Sequence, residues 1–128
     1  MKYQLYFDGN KTPQGTTCSY VIIDENKKTV IEETLNLPAE TTVNEAEYNG
    51  LINGIKKLLN FLNNNNIPPK NVELEIYGDS QLVIKQLKNE YECKKPQLRI
   101  LRSEARNLLS NFSSFDAIWI ERNKNLAK

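Results

Sequence analysis

The chain has 128 residues, of which 39% are hydrophobic and 26% charged, a size and balance typical of one folded domain rather than of a disordered chain. Seventeen basic and sixteen acidic side chains leave a formal charge of +1, so net charge gives no argument for a nucleic-acid partner. The absence of histidine excludes Ser-His-Asp triads, Cys-His pairs and histidine-bound zinc within this chain.

Three strands are predicted before residue 40. In the first, Tyr3, Leu5 and Phe7 alternate with more polar residues, and the strand ends at Asp8-Gly9. A turn over residues 10–15 follows, because proline and glycine interrupt the pattern there. The second and third predicted strands are Ser19–Ile23 and Thr29–Leu37, joined by a polar hairpin loop.

A long helix is predicted over Thr42–Leu62, where apolar residues recur at three- and four-residue spacing and form a face that packs on the sheet. A run of asparagines and Pro68-Pro69 end it. The fourth strand then has Val72, Leu74 and Ile76 as its buried positions.

Helical spacing resumes after Gly78, and another helix begins at Pro96, a residue suited to the first helical turn. Its buried stripe runs from Leu98 to Phe112. A last strand, Phe115–Ile120, and one or two helical turns complete the chain. The order β-β-β-α-β-α-α-β predicts an α/β fold, a five-stranded mixed sheet flanked by helices, as a single domain over residues 1–128.

Three acids occupy suggestive places in this order. Asp8 ends the first strand, Asp79 follows the fourth, and Glu47 lies in the first turns of the long helix. If the first and fourth strands are parallel neighbours, both aspartates meet at one edge of the sheet, and the crossing helix can present Glu47 there. Such a cluster is typical of Mg²⁺ or Mn²⁺ binding. The alternative for Asp79 is a helix N-cap.

Three motifs are similar to those of type 1 ribonuclease H, in the same order and spacing. They are Tyr6-Phe7-Asp8-Gly9, Thr42-Val43-Asn44-Glu45-Ala46-Glu47-Tyr48 and Tyr77-Gly78-Asp79-Ser80-Gln81-Leu82-Val83. The resemblance runs over the whole chain. It implies the ribonuclease H fold and hydrolysis of the RNA strand of an RNA–DNA hybrid with two metal ions. The extra basic helix of some family members has no counterpart here.

The resemblance also assigns site residues. Asp8, Glu47 and Asp79 match the metal-binding acids, with Glu45 as the rival that the motif's spacing rejects. Positions expected to bind substrate are Gly9, Asn10, Asn44 and Gln81. For Asn44 a helix cap is the open alternative. Independently of the resemblance, their charge and spacing make Lys85, Lys88, Lys94, Lys95, Arg99, Arg102 and Arg106 candidate phosphate contacts, with a solvated helix face as the alternative favoured for any single one of them.

The segment Ile120–Ala127 resembles the family's last motif but departs from it at one place. Lys128 stands where a fourth metal-binding aspartate is expected, and a second alignment puts Lys124 there. Asn125 is predicted to take over part of the missing acid's role, as a weak ligand or as a hydrogen-bond partner of the attacking water. Asn123 and a terminal carboxylate are the alternatives. The family's mobile histidine is missing as well.

The sequence therefore predicts a magnesium- or manganese-dependent endoribonuclease that acts on hybrids. One alternative is a weak or inactive domain of the same fold that only binds nucleic acid. Another is an aspartate-based phosphatase with Asp8 as nucleophile, which the asparagine at position 10 disfavours. We expect a monomer in the cytoplasm without organic cofactor or membrane contact, since no apolar run approaches a membrane span. Cys18 and Cys93 are interpreted as reduced thiols, with a disulfide left open.

Overall fold

A computed structural model describes residues 1–128. The strands are β1 (Lys2–Thr12), β2 (Gly15–Ile23), β3 (Thr29–Leu37), β4 (Glu73–Gly78) and β5 (Ser114–Trp119). The helices are α1 (Val43–Asn64), α2 (Gln81–Leu87) and α3 (Pro96–Leu109). Short 3₁₀ turns cover Pro69–Asn71 and Arg122–Lys124.

The five strands form one sheet in the order β3-β2-β1-β4-β5. Strand β1 is antiparallel to β2 and parallel to β4, with Tyr6 opposite Tyr77. Strand β5 is in turn parallel to β4. The predicted fold class and the pairing of the first and fourth strands are therefore confirmed. Since β1 and β4 run in the same direction, Asp8 and Asp79 lie at the same edge of the sheet.

The first hairpin differs from the prediction. Strand β1 continues to Thr12 and β2 begins at Gly15, so only Pro13 and Gln14 lie between them. The predicted turn over residues 10–15 is wrong. Residues 10–12 are exposed next to the turn that closes the hairpin, where no apolar alternation is needed to bury a face. Their backbone pairing with β2 thus left no pattern in the sequence.

Helix α1 packs across β1 and β2 and supplies much of the core. Its fully buried residues include Leu51, Ile55, Leu58 and Leu62. They join apolar side chains of β1, β4, α2 and α3 in one cluster. Burial of apolar surface contributes about 25 cal/mol per Å², so the packing of these residues is the main interaction that holds α1 against the sheet.

Both cysteines are free, as predicted. Cys18 is buried, and burial raises the pKa of its thiol to about 11. None of the helices combines the length and apolarity that crossing a bilayer requires.

Candidate active site

The three acids singled out in the sequence converge. Asp8 lies within β1, Asp79 directly follows β4, and Glu47 is near the start of α1. One carboxylate oxygen from each lies within 4.8 Å of those of the other two. Asp8 and Glu47 are each only 4% exposed. Three oxygen donors held this close at the end of a sheet match the ligand chemistry of Mg²⁺ or Mn²⁺.

Two glycines let α1 approach β1 closely enough to bring Glu47 to Asp8. A Cβ atom on Gly9 would collide with the backbone of Ala46 and Glu47, and one on Gly50 would lie 2.8 Å from the carbonyl oxygen of Asp8. The Gly9 N–H donates a hydrogen bond to Oε1 of Glu47. The position of this carboxylate therefore depends on backbone contact between helix and strand.

The helix caps decide two alternatives that the sequence left open. Thr42 caps α1 in a capping box, in which the Glu45 carboxylate accepts a hydrogen bond from the Thr42 N–H at 2.8 Å. Asn44 is therefore not the cap, and Glu45 is occupied elsewhere. Ser80 caps α2, since its Oγ accepts a hydrogen bond from the Val83 N–H. The carboxylate of Asp79 is thus left for the acidic cluster, and a capping role for it is wrong.

Burial makes the cluster resist full ionisation in the absence of a cation. Burial, and next the charges of Asp8 and Asp79, raise the pKa of Glu47 from 4.5 to about 9. Burial also raises the pKa of Asp8, an effect that the Arg122 guanidinium opposes and Asp79 reinforces. A divalent cation among these oxygens would remove the repulsion between them.

The raised pKa of Glu47, caused first by burial and then by the charges of Asp8 and Asp79, yields a prediction about stability. In metal-free protein, Glu47→Gln should stabilise the fold increasingly as pH rises. A carboxyl group with a raised folded pKa contributes stability that is complete below its unfolded value of 4.5 and lost as pH rises through about 9. We expect a gain of about 1–2 kcal/mol near pH 8 and little near pH 4, measured by urea unfolding in EDTA. A gain in unfolding free energy of equal size at both pH values would contradict a raised pKa for Glu47.

Arg122, which the sequence analysis did not single out, lies beside the acids. Its Nη1 donates hydrogen bonds to Oδ1 of Asp8 at 3.2 Å and to Oδ2 of Asp79 at 3.3 Å. The side chain is 56% exposed. Proximity to Asp8 raises the pKa of the guanidinium further. The position of Arg122 in the turn after the last strand, near the predicted sheet edge, could have indicated it as a site residue. The motif Ile120–Ala127 was interpreted only for its missing acid.

Asn125 is 2% exposed and lies against the same cluster. Its Nδ2 donates to the carbonyl oxygen of Phe7 at 2.9 Å and to Oδ2 of Asp79 at 3.2 Å, while its Oδ1 accepts from the Ala127 N–H. The side chain thus ties the C-terminal turn to β1 and turns its nitrogen, which cannot ligate a cation, toward Asp79. The catalytic role of Asn125 stays a prediction, and this geometry favours hydrogen bonding over ligation.

Asn123, an alternative to Asn125, is exposed, as are Lys124 and Lys128, which stand in the place of the fourth aspartate in the two alignments. None of these side chains is hydrogen-bonded to the three acids, whose carboxylate partners are Gly9, Arg122 and Asn125. The only acids within the group are Asp8, Glu47 and Asp79.

The predicted substrate-binding residues lie close in sequence to the three acids. Gly9 is buried beside Glu47, and Asn10 is exposed on the next position of β1. Asn44 is half-buried one turn before Glu47, and Gln81 is the exposed first residue of α2. Their contacts with substrate stay predictions.

Trp119, another residue that the sequence analysis missed, is hydrogen-bonded to the backbone of Asp79. Its indole Nε1 donates a hydrogen bond to the carbonyl oxygen of Asp79 at 3.1 Å, and 43% of the residue is exposed. As the only tryptophan in the chain, it places a fluorescent reporter directly at the site.

The arginines predicted to contact phosphates also have structural partners. Arg99 donates to the Cys93 carbonyl, Arg102 to that of Gln86, and Arg106 to that of Leu87. These bonds fasten the end of α2 and the following loop to α3. Among the lysines, Lys88 and Lys94 pair with nearby glutamates, and Lys85 lies over the Tyr91 ring. Their role in phosphate binding stays a prediction.

Comparison with known proteins gives one consistent result. The profile of a family described as reverse transcriptase-like matches residues 6–127. Ribonuclease HI of Halobacterium salinarum is 31% identical over 122 residues, which are 94% of this chain and 57% of that protein. The chain thus spans less than two thirds of the length of this relative.

Solved structures extend the likeness to the whole fold. The crystal structure of RNase H1 from Halobacterium salinarum superposes with a TM-score of 0.85 at 28% identity, over 99% of this chain and 95% of the other. LC11-RNase H1, solved in complex with an RNA/DNA hybrid, gives a TM-score of 0.81 at 26% identity, over 97% and 88%.

Proposed function

Because the chain belongs to the reverse transcriptase-like family that includes type 1 ribonuclease H, we propose that it is a metal-dependent endoribonuclease that hydrolyses the RNA strand of RNA–DNA hybrids. The observation that carries this proposal is the meeting of Asp8, Glu47 and Asp79 within 4.8 Å at the sheet edge. The neighbour solved with a bound hybrid supports the substrate class.

The three acids supply oxygen donors suited to Mg²⁺ or Mn²⁺, with no histidine or thiolate among them that would favour zinc, and we propose that they hold two such ions. Bound ions of this kind lower the pKa of water and stabilise the leaving oxygen in displacement at phosphorus. The protein's part is to hold the carboxylates rigid. Gly9 fixes Glu47, and Asn125 and Trp119 fix Asp79.

Gln81 is proposed to help distinguish RNA from DNA, since it is an exposed amide two residues after Asp79 and the 2′-hydroxyl is what differs locally between the two strands. We expect Gln81→Ala to lower hybrid cleavage by about tenfold, the effect of losing one hydrogen bond of about 1 kcal/mol or slightly more. The melting temperature should not change, because the side chain lies outside the core. A melting temperature that falls together with activity would indicate a structural role instead.

The proposed function is tested by incubating purified protein with hybrids labelled in either the RNA or the DNA strand, and with duplex DNA of the same sequence. With Mg²⁺ or Mn²⁺ only the labelled RNA strand of the hybrid should be cut. Cleavage of the DNA strand or of duplex DNA to the same extent would contradict the proposed specificity.

A binding domain without catalysis is the second candidate, favoured by the absence of a fourth acid from the cluster. It predicts that the wild-type protein retards hybrid in a mobility assay but cuts neither strand with either metal. Against it, a pure binding protein gains nothing from three like charges buried beside phosphate.

A further inference from the structure

Arg122 contacts two of the three acids of the proposed metal site. One nitrogen of Arg122, Nη1, is shared by Oδ1 of Asp8 and Oδ2 of Asp79. It thus bridges the two strands that supply the aspartates and neutralises part of their charge. In the metal-free protein, Arg122 is the cation of this site.

A divalent ion held among the three acids would bind oxygens of the same two carboxylates. Magnesium approaches its oxygen ligands to about 2.0–2.1 Å, much closer than the 3.2 and 3.3 Å of Nη1. Such an ion would therefore lie close to the positive charge of Arg122, and both cations would be attracted to the same negative charges. The metal ion and the Arg122 guanidinium therefore compete for the carboxylates of Asp8 and Asp79.

The structure also shows that Arg122 can leave. Its side chain is 56% exposed, so the guanidinium can turn into water without opening the core. Its backbone belongs to the 3₁₀ turn over Arg122–Lys124, which Asn125 anchors separately through the Phe7 carbonyl. Movement of the side chain alone therefore frees the carboxylates.

We propose that Arg122 is a displaceable counterion that holds Asp8 and Asp79 together in the metal-free protein and weakens metal binding by competing for their oxygens. This inference rests on the proposed function, since it takes these acids to be the metal site. It assigns Arg122 a positioning role, in which it sets the metal concentration at which the site fills.

Metal affinity is the direct readout, and it needs no catalysis. Mn²⁺ alone would be titrated into the purified protein by calorimetry, with the fluorescence of Trp119 as a second signal. Arg122→Ala is expected to bind Mn²⁺ about fivefold to tenfold more tightly than wild type, the size expected for removing one nearby charge in a partly exposed setting. Arg122→Gln, which is neutral and closer in length to arginine, should show the same direction and covers a failure of the alanine variant to fold.

Lys124→Ala is the matched control, because it removes a positive charge from the same turn at an exposed position. Its affinity should stay within about twofold of wild type, since charges in water are screened. Equal tightening in Lys124→Ala and Arg122→Ala would overturn the proposal in favour of a general charge effect. Unchanged or weaker binding in both Arg122 variants would overturn it as well.

The failure of the proposed function has a different signature. If wild-type protein shows no saturable Mn²⁺ binding and Asp79→Asn changes nothing, the acids are not a metal site and both proposals fall. If wild type binds Mn²⁺, Asp79→Asn does not, and the Arg122 variants match wild type, only the counterion proposal falls.

Discussion

Asp79→Asn is expected to lower kcat/KM for hybrid cleavage by about 100-fold or more. Loss of one metal-binding carboxylate should remove several kcal/mol of transition-state stabilisation, and each 1.4 kcal/mol is about tenfold in rate. The fold should persist, because the substitution keeps the shape of the side chain and an oxygen to accept the hydrogen bond from Asn125. Asp8→Asn and Glu47→Gln should act in the same direction. Steady-state cleavage of a labelled hybrid in Mg²⁺ measures the effect.

Asp116→Asn provides the control for this substitution. It makes the same chemical change at an exposed position of the neighbouring strand β5, outside the acidic cluster. Its activity should equal that of wild type. Wild-type cleavage by Asp79→Asn in Mg²⁺ would mean that the site has been placed wrongly.

The second large effect is expected for Gly50→Ala. The added Cβ would lie 2.8 Å from the carbonyl oxygen of Asp8 and 3.1 Å from that of Ser19, and these backbone atoms cannot turn aside. Helix α1 must therefore move away from β1 and carry Glu47 with it. Overpacking of this kind costs about 1–3 kcal/mol of stability, and a displacement of about 1 Å at a catalytic group can cost about 100-fold in rate.

Gly54→Ala is the matched control, one turn further along the same helix. The three atoms nearest to its Cβ would be side-chain atoms of Leu5 and Tyr20, at 3.1–3.2 Å. These contacts are longer than the 2.8 Å approach to a backbone oxygen at Gly50 and need a shift of only a few tenths of an ångström, so we expect a smaller loss of activity at the site. If thermal melting and cleavage are unchanged in Gly50→Ala, the close approach of helix and strand does not govern the position of Glu47.

The fold could be predicted largely because its buried elements carry periodic patterns. Alternation in β1 and β4 and helical spacing in α1 follow from one-sided burial, and the strand-helix-strand order permits a parallel crossover, which the structure contains. The last residues of β1, next to the turn of the first hairpin, were missed because residues 10–12 are exposed, so Asn10 was assigned to a turn rather than to β1.

The three acids could be predicted because Asp8 and Asp79 each lie two residues beyond the paired Tyr6 and Tyr77 of parallel strands, and Glu47 lies near the start of α1. The predicted strand end at Asp8-Gly9 is wrong, since β1 continues to Thr12. Arg122 could not, because its contact with Asp8 joins residues 114 positions apart and depends on the path of the last turn. The orientation of the Asn125 amide likewise depends on tertiary hydrogen bonds to Phe7 and Asp79, which no local pattern encodes.

The most direct test of the central claim, that three carboxylates make this chain a metal-dependent nuclease, is the chemistry of the RNA ends it produces. Wild-type protein would cleave a labelled hybrid under single-turnover conditions in Mg²⁺ and, separately, in EDTA, and the fragment ends would be analysed by mass spectrometry. Attack by water predicts cleavage in Mg²⁺ only, with no 2′,3′-cyclic phosphate. Cleavage that persists in EDTA, or cyclic phosphate ends from attack by the ribose 2′-hydroxyl, would contradict it.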